Sequence, residues 1–88
     1  MRIAAVGECM VEFAPDGRGG WRMGFAGDTF NTLWTMRGLL PSDAVTDYVS
    51  AFGDDEFSRQ QIAFFAKHGI GTADSPLYRD ARPGLYAI

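Results

Sequence analysis

Apolar residues occur in short runs and in two longer periodic segments along this chain. Residues 3–6 form an uninterrupted apolar run, which predicts a strand buried on both faces. Residues 10–13 alternate loosely and residues 21–23 alternate around an arginine, so two further strands are expected on either side of a glycine-rich turn. Three later stretches also predict strands: residues 46–52, 77–79 and 85–88.

Two segments have the three-to-four-residue spacing of helices. The first begins at Asp28, whose carboxylate is expected to cap the first turn, and it ends before Pro41. The second extends from Asp54 or Asp55 to His68, with acidic residues in its first turn. The first helix is expected to bury a broad apolar face, made of Phe30, Leu33, Trp34, Met36 and Leu40. Because strands and helices alternate, we expect an α/β fold with a mostly parallel sheet.

The composition is that of one small globular domain: 88 residues, 47% hydrophobic and 22% charged. Eight basic and eleven acidic residues include no basic cluster, so we expect no nucleic-acid partner. No apolar stretch approaches the roughly 20 residues of a spanning helix, so no membrane partner is expected either. The single cysteine, Cys9, excludes an intrachain disulfide and favours a cytoplasmic location.

Several catalytic motifs are missing from the chain. It contains no phosphate-binding G-x-x-x-x-G-K-[ST] loop, no G-x-G-x-x-G, no H-E-x-x-H and no G-x-S-x-G. His68 is the only histidine, and we expect it to face solvent at a helix end. Cys9 is expected to be a small core residue.

The most informative stretch is residues 24–31, which leads into the first helix. Gly27 has no Cβ, so a ligand could approach the backbone closely there. Asp28 and Asn31 are three residues apart on a helix, and a carboxylate beside a carboxamide suits adjacent sugar hydroxyls. The free N–H groups of the same helix end would accept an anionic group. The alternative is that Asp28 is only a helix cap and Asn31 only a polar residue of the first turn.

Two other groups are weaker candidates. Asp54, Asp55 and Glu56 could hold a hard cation such as Mg²⁺, but acidic residues are common in a first helical turn because of the helix dipole. We favour the dipole and assign no metal ligands. Tyr86 could hydrogen-bond a ligand, although packing of its ring is the preferred interpretation.

Five motifs, taken together, resemble the N-terminal portion of a PfkB (ribokinase-like) carbohydrate kinase. Their order and spacing match along essentially the whole chain. The G-E-C-M opening, G-D-T-F-N and P-G-L-Y resemble the ketodeoxygluconate kinase branch of that family. The motifs are I-A-A-V-G-E-C-M-V-E-F (3–13), A-G-D-T-F-N-T (26–32), F-G-D-D-E-F (52–57), H-G-I (68–70) and P-G-L-Y (83–86).

The resemblance implies a ribokinase-like three-layer α/β fold with a small β lid formed by about residues 14–24 and 77–88. It also implies that Tyr86 contacts a sugar acid from the lid. The chain would then be the front part of a larger kinase, and two copies of the protein could associate through their lids. The pocket wall would comprise Gly27, Asp28, Thr29, Phe30 and Asn31.

The implied reaction is ATP-dependent phosphorylation of the sugar acid with Mg²⁺. The nucleotide site and a catalytic Asp are expected beyond residue 88, so the chain itself contains no catalytic residue. Two alternatives stay open: a kinase of the same fold for another sugar or a nucleoside, and a truncated remnant without catalysis.

Overall fold

The computed structural model describes all 88 residues and contains eight strands and two helices. The predicted α/β class is confirmed, because helices alternate with strands that pair mostly in parallel. The elements are β1 (Arg2–Val6), β2 (Met10–Pro15), β3 (Trp21–Ala26), α1 (Asp28–Leu39), β4 (Val45–Val49), β5 (Phe52–Gly53), α2 (Glu56–Lys67), β6 (Ile70–Gly71), β7 (Leu77–Tyr78) and β8 (Leu85–Ala87).

The main sheet has the order β1-β4-β6, with all three strands parallel. Both helices pack on one face of this sheet around a single hydrophobic core. Phe30 and Leu33 come from α1, Phe65 comes from α2, and Tyr48 and Ile70 come from the sheet. The Phe30 and Phe65 rings stack with centroids 5.0 Å apart, and Tyr48 meets Phe30 edge-on at 5.9 Å. This aromatic cluster holds the two helices on the sheet.

The opposite face of the main sheet is open, so the prediction that β1 is buried on both faces is wrong. Side chains alternate across a strand, and only Ile3 and Ala5 of β1 reach the core. Val6 of β1 is 70% exposed and Val45 of β4 is 48% exposed. An apolar run shows that both faces of a strand are suited to burial. Whether the outer face is buried depends on a second layer of helices or strands, which the run itself does not specify.

The second sheet has the order β3-β2-β8. It contains strands from both segments that were predicted to form a lid, and we refer to it as the lid for brevity. Strands β2 and β3 form an antiparallel hairpin, and β8 pairs in parallel with the outer side of β2. The strands of this sheet do not coincide with the segments 14–24 and 77–88. The hairpin begins at Met10 and ends at Ala26, while β7 pairs with β5 and not with the lid.

Two further strand predictions need correction. The run at residues 46–52 is split into β4 and β5, because the chain leaves the main sheet after Val49. Strand β6 was not predicted at all. It has only two residues, Ile70 and Gly71, and so carries no alternating pattern.

The two helices begin differently. Helix α2 begins where it was predicted to, and Asp55 is its N-cap: its carboxylate accepts a hydrogen bond from the Ser58 N–H at 3.2 Å. The prediction for α1 is wrong: the N-cap is Gly27, and Asp28 is the first helical residue with no capping bond. The glycine holds the N-cap position because the chain enters α1 through a backbone conformation that disfavours Asp, with φ at 151°.

The buried face of α1 is also narrower than its sequence indicates. Only Phe30 and Leu33 are buried, whereas Trp34 is 39% exposed. The Trp34 and His68 rings have centroids 4.7 Å apart, so part of Trp34 contacts the end of α2. His68 is exposed at the helix C-cap, as predicted. Neither helix has the length and apolar character needed to cross a bilayer.

Two leucines of α1 give a matched test of this packing. Leu33 is fully buried and Leu39 is 81% exposed. Leu33→Ala is expected to lower the free energy of unfolding by about 2–5 kcal/mol, because it removes buried methyl groups and leaves a cavity. Leu39→Ala is expected to change it by less than about 0.5 kcal/mol. Urea unfolding of the 88-residue chain measures both, and equal losses would contradict the assigned core.

The two helix starts give a second test. Asp55→Ala is expected to cost about 0.5–2 kcal/mol at neutral pH through loss of the cap, and Asp28→Ala is expected to cost less. Burial is the largest single effect and raises the pKa of Asp55, but the hydrogen bonds from Ser58 and from the backbone of Asp55 and Phe57 together outweigh it and hold the pKa below its ordinary value of 3.8. The Asp55 carboxylate therefore contributes fully to the free energy of unfolding above pH 3.8. This contribution is lost as the pH falls through the lower pKa of the folded state. Urea unfolding as a function of pH should show the Asp55→Ala difference shrinking below pH 3.8, and a pH-independent difference would contradict the capping role.

Candidate functional site

A cleft of about 350 Å³ lies at the carboxyl ends of β1 and β4. Gly7 and Glu8 follow β1, and Ser50 follows β4. Open parallel sheets bind their ligands at these strand ends, so the position of the cleft is that of a ligand site. The opposite wall is the loop before β8. The lining residues are Gly7, Glu8, Cys9, Ser50, Ala51, Phe52, Gln61, Arg82, Pro83 and Gly84.

A larger recess, of about 760 Å³, lies at the amino ends of β4 and β6. Arg37 contributes to its wall, and its guanidinium donates hydrogen bonds to the backbone carbonyls of Ala44 and Pro41. This arginine therefore joins the end of α1 to the loop before β4. Because it is already used in this way, and because the recess is at the wrong end of the strands for a ligand, we place the candidate site at the smaller cleft.

The first turn of α1 packs directly against the loop that follows β1. A Cβ on Gly27 would lie 2.5 Å from the backbone oxygen of Glu8, so only glycine fits at this position. Gly7 is equally restricted, because a Cβ there would collide with the Thr29 side chain. Neither glycine position has room for a side chain. The two glycines therefore allow the first turn of α1 to lie directly against the loop after β1, beside the cleft.

The predicted pocket residues of α1 take different positions. Thr29 is half-buried, and its hydroxyl forms a hydrogen bond of 2.7 Å with the Tyr48 hydroxyl. Phe30 is 3% exposed and its ring packs in the core, so its expected place in the pocket wall stays a prediction. A residue at the start of a helix can face inward or outward, and the motif alone did not distinguish these orientations.

Asp28 and Asn31 are both exposed in the first turn of α1. Neither side chain forms a hydrogen bond or an ion pair within the chain, so both keep their full hydrogen-bonding capacity. They do not line the cleft itself but belong to the helix turn that packs against its Glu8 side.

Tyr86 lies on the lid, where its hydroxyl donates a hydrogen bond of 2.5 Å to the carboxylate of Glu12. The two residues are direct partners in the β2–β8 pairing. This hydrogen bond, with the negative charge of Glu12, raises the pKa of Tyr86, so the phenol stays protonated. Glu12 was not among the predicted site residues. The signal for it was a carboxylate in an otherwise apolar strand, on the face opposite Val11 and Phe13.

Register places one row of side chains on the Glu12 face of the lid. Glu12 pairs with Gly24 of β3 and with Tyr86 of β8, and Met10 pairs with Ala26. Gly84 leads into β8, and a Cβ there would lie 2.8 Å from the Glu8 carboxylate and 3.4 Å from Met10. The Glu12 face of the lid and the cleft are therefore continuous at Gly84.

The acidic residues at the start of α2 are engaged within the chain. Asp55 caps the helix, Asp54 accepts a hydrogen bond from the Asp80 N–H, and Glu56 pairs with Arg59. No group of three or more His, Cys, Asp or Glu side chains is arranged to hold a metal ion. The alternative of a cation at this turn therefore has no geometric support.

Cys9 lines the cleft but is buried, as predicted. Burial raises the pKa of its thiol to about 12, against a weaker opposing effect of a backbone hydrogen bond from Ala26. The thiol is therefore protonated at neutral pH and is not a nucleophile.

Known proteins match both the sequence and the fold of this chain. It is 36% identical over 88 residues to the 2-dehydro-3-deoxygluconokinase of Escherichia coli, covering 99% of this chain and 28% of that protein. The crystal structure of 2-dehydro-3-deoxygluconokinase from Thermotoga maritima superposes with a TM-score of 0.83 at 15% identity, over 99% of this chain and 27% of that one. Aminoimidazole riboside kinase from Salmonella enterica, in complex with the riboside and an ATP analog, superposes with a TM-score of 0.81 at 16% identity, over 100% of this chain and 29% of that one. No protein-family model matches the chain.

Sequence and fold both match the N-terminal part of a PfkB carbohydrate kinase. The resemblance found in the five motifs is thereby confirmed. The chain spans little more than a quarter of the length of the curated relatives that it matches. The matched part of this chain includes the helix-start turn, the cleft and the β2–β3 hairpin.

Two glycines of this PfkB-like chain give a matched test of the close packing at the helix start. Gly27→Ala is expected to cost at least about 1–3 kcal/mol of stability, because φ is 151° and a Cβ would collide with the Glu8 carbonyl. Gly38 is inside α1 with no atom near its Cβ position, and Gly38→Ala is expected to add about 0.5–1 kcal/mol. Urea unfolding measures both. A Gly27→Ala variant as stable as the unaltered chain would refute the close approach.

Proposed function

We propose that this chain is the sugar-binding N-terminal part of a kinase that phosphorylates a sugar acid, 2-dehydro-3-deoxygluconate, at the expense of ATP. The observation that supports this best is the coincidence of two independent features. The cleft lies where α/β folds bind ligands, and the whole chain is similar to enzymes named for that substrate.

The polar groups beside the cleft suit a polyhydroxylated ligand. We propose that Asp28 and Asn31 bind sugar hydroxyls from the first turn of α1, since both side chains are exposed and without partners in the chain. Gly27 would allow the ligand to approach the backbone, and Thr29 would position the turn through its bond to Tyr48. The α1 contribution to the pocket would thus come from Gly27, Asp28 and Asn31, with Phe30 behind them in the core.

The lid would contribute the second wall. Glu12 and Tyr86 face the same side of the β3-β2-β8 sheet, and their hydrogen bond presents a carboxylate and a phenol together. We propose that they bind a sugar hydroxyl between them. A lid over the sugar excludes water, which would otherwise compete with the hydroxyl for the phosphoryl group.

The residues of this chain alone do not form a binding site for ATP or Mg²⁺. It has no phosphate-binding loop, and no three metal-binding side chains converge. We therefore propose that ATP and Mg²⁺ are held by the remainder of a kinase domain, together with a catalytic Asp, and we expect the 88-residue chain alone to be inactive. In a phosphoryl transfer, positioning and charge around the phosphates supply most of the catalysis, so the residues described here would hold only the acceptor.

The outer face of the lid is a candidate for self-association. Phe13 and Ala87 share this face with the edge residue Met23, and Trp21 beside them is 59% exposed. We propose that two lids pair through this apolar face, because large exposed apolar side chains on a short sheet favour burial against a partner.

We also keep the cytoplasm as the proposed location, since the reaction consumes ATP.

A chimera tests the proposed function directly. It joins residues 1–88 of this chain to the remaining part of the E. coli 2-dehydro-3-deoxygluconokinase, whose N-terminal 28% the chain matches. We expect ATP-dependent phosphorylation of 2-dehydro-3-deoxygluconate. Asp28→Ala and Asn31→Ala are each expected to raise KM by on the order of 10-fold or more, because each removes hydrogen bonds to the sugar.

Asp43→Ala is the matched control, because it also replaces an aspartate by alanine, but near the amino end of β4 and away from the cleft. It should leave KM unchanged. Two outcomes would contradict the proposal: phosphorylation of only fructose or a riboside would favour another substrate, and a folded chimera inactive on every sugar would favour a non-catalytic remnant. Asp28→Ala and Asn31→Ala with unaltered KM would remove these side chains from the site.

A further inference from the structure

The lid is joined to the rest of the chain at three places, which meet at the loop after β1 and the start of β2. Residues 7–9 lead from β1 into the hairpin, and Gly27 leads from the hairpin into α1. A Cβ on Gly27 would lie 2.5 Å from the backbone oxygen of Glu8, so these two connections are in contact. The third connection enters β8 at Gly84, whose carbonyl accepts a hydrogen bond of 2.8 Å from the Val11 N–H. The position of the loop therefore sets the position of the lid.

Gln61 of α2 holds this loop from the side of the core. Its Nε2 donates a hydrogen bond of 2.9 Å to the backbone carbonyl of Cys9, the last residue before β2. Both residues are buried, and Gln61 is only 1% exposed. No other side-chain hydrogen bond joins a helix to residues 7–9. Glutamine is rarely buried so completely, and a buried amide needs a hydrogen-bond partner, so this bond accounts for the place of Gln61 on the inner face of α2.

The inner face of α2 contains a second polar residue, Ser58, one turn before Gln61. Its hydroxyl accepts a hydrogen bond of 3.0 Å from the Gly53 N–H, at the end of β5. Both bonds of this face therefore end beside the cleft, because Cys9 and Phe52 are among its lining residues. Apolar packing has no preferred direction, whereas these hydrogen bonds fix the backbone in distance and direction.

We propose that Gln61 is a positioning residue, which fixes the base of the lid to α2 through the Cys9 carbonyl. It thereby keeps the Glu12–Tyr86 face of the lid at a set distance from the first turn of α1. The fixing of the lid stands on the contacts alone, while its effect on sugar binding rests on the proposed function. Without Gln61, the Cys9 carbonyl is buried without a partner unless the loop moves towards water.

Distances between two spin labels in the 88-residue chain test the fixing of the lid without any ligand. The labels are attached at Arg22→Cys on β3 and Lys67→Cys at the end of α2, and the sample is diluted in unlabelled chain so that only pairs within one molecule contribute. Cys9 is left in place, since its buried thiol is protonated and does not react. Gln61→Met keeps the length of the side chain and removes its donor. It is expected to widen the distance distribution by about 2-fold.

Gln60→Met is the matched control. Gln60 is the neighbour of Gln61 on α2, but it is exposed and its side chain is bonded only to Glu56. This variant should leave the width of the distribution unchanged. Circular dichroism checks that both variants are folded.

The chimera described above tests the effect on the sugar. Gln61→Met is expected to raise KM for 2-dehydro-3-deoxygluconate by about 3- to 10-fold, with KM for ATP unchanged, because the two walls of the sugar site lose their fixed spacing. A smaller fraction of folded enzyme would instead lower the apparent kcat and leave KM for the sugar unaltered. Gln60→Met should change neither constant.

Hydrogen exchange in the unaltered chain needs no variant of Gln61, so it tests the bond even if Gln61→Met does not fold. The side-chain N–H groups of Gln61, followed by NMR, are expected to exchange with D₂O at least about 10-fold more slowly than those of Gln60.

Four results would overturn the fixing of the lid: equal exchange of the two glutamines, an unchanged distance distribution in folded Gln61→Met, equal widening in Gln60→Met, or a distribution that is already broad in the unaltered chain. Widening with an unaltered KM for the sugar would overturn the effect on sugar binding. If the lid widens in Gln61→Met but the unaltered chimera phosphorylates no sugar, the proposed function fails and the fixing of the lid stands.

Discussion

The close approach of the loop after β1 to the first turn of α1 is the contact on which the rest of this structure depends. Gly7 and Gly27 leave no space for a Cβ on either side, and Thr29 bridges the turn to Tyr48 in the sheet. This contact places the start of α1 beside the carboxyl end of β1. It also sets the direction in which the chain leaves β3, because Gly27 directly follows that strand.

Two sheets meet at this point, and each supplies one side of the candidate site. The parallel sheet contributes the cleft at its strand ends, and the lid contributes Glu12 and Tyr86. The aromatic core lies behind both, with Phe25 of the lid strand β3 packed against Phe64 of α2 at 5.3 Å. The lid is thus fixed to the helices at its base, while its far end, with Trp21, extends into solvent.

Much of this arrangement could be predicted from the sequence, because it depends on local patterns of apolar residues, helix-start residues and short motifs. The α/β class, the start of α2 near Asp55 and the resemblance to the N-terminal part of a PfkB kinase are confirmed. The errors concern features that depend on the rest of the fold. The cap at Gly27 in place of Asp28 follows from the close approach of the helix start to Glu8, and the exposure of Val6 follows from the open face of the sheet. The role of Glu12 required the register of β2 with β8, which no local pattern specifies.

The central claim is that a sugar acid binds between the first turn of α1 and the Glu12–Tyr86 face of the lid. The most direct measurement is a crystal structure of the kinase chimera with 2-dehydro-3-deoxygluconate bound. The account predicts the sugar hydroxyls within hydrogen-bond distance of Asp28, Asn31 and the Glu12–Tyr86 pair. A sugar bound elsewhere, with these side chains turned away from it, would contradict the account.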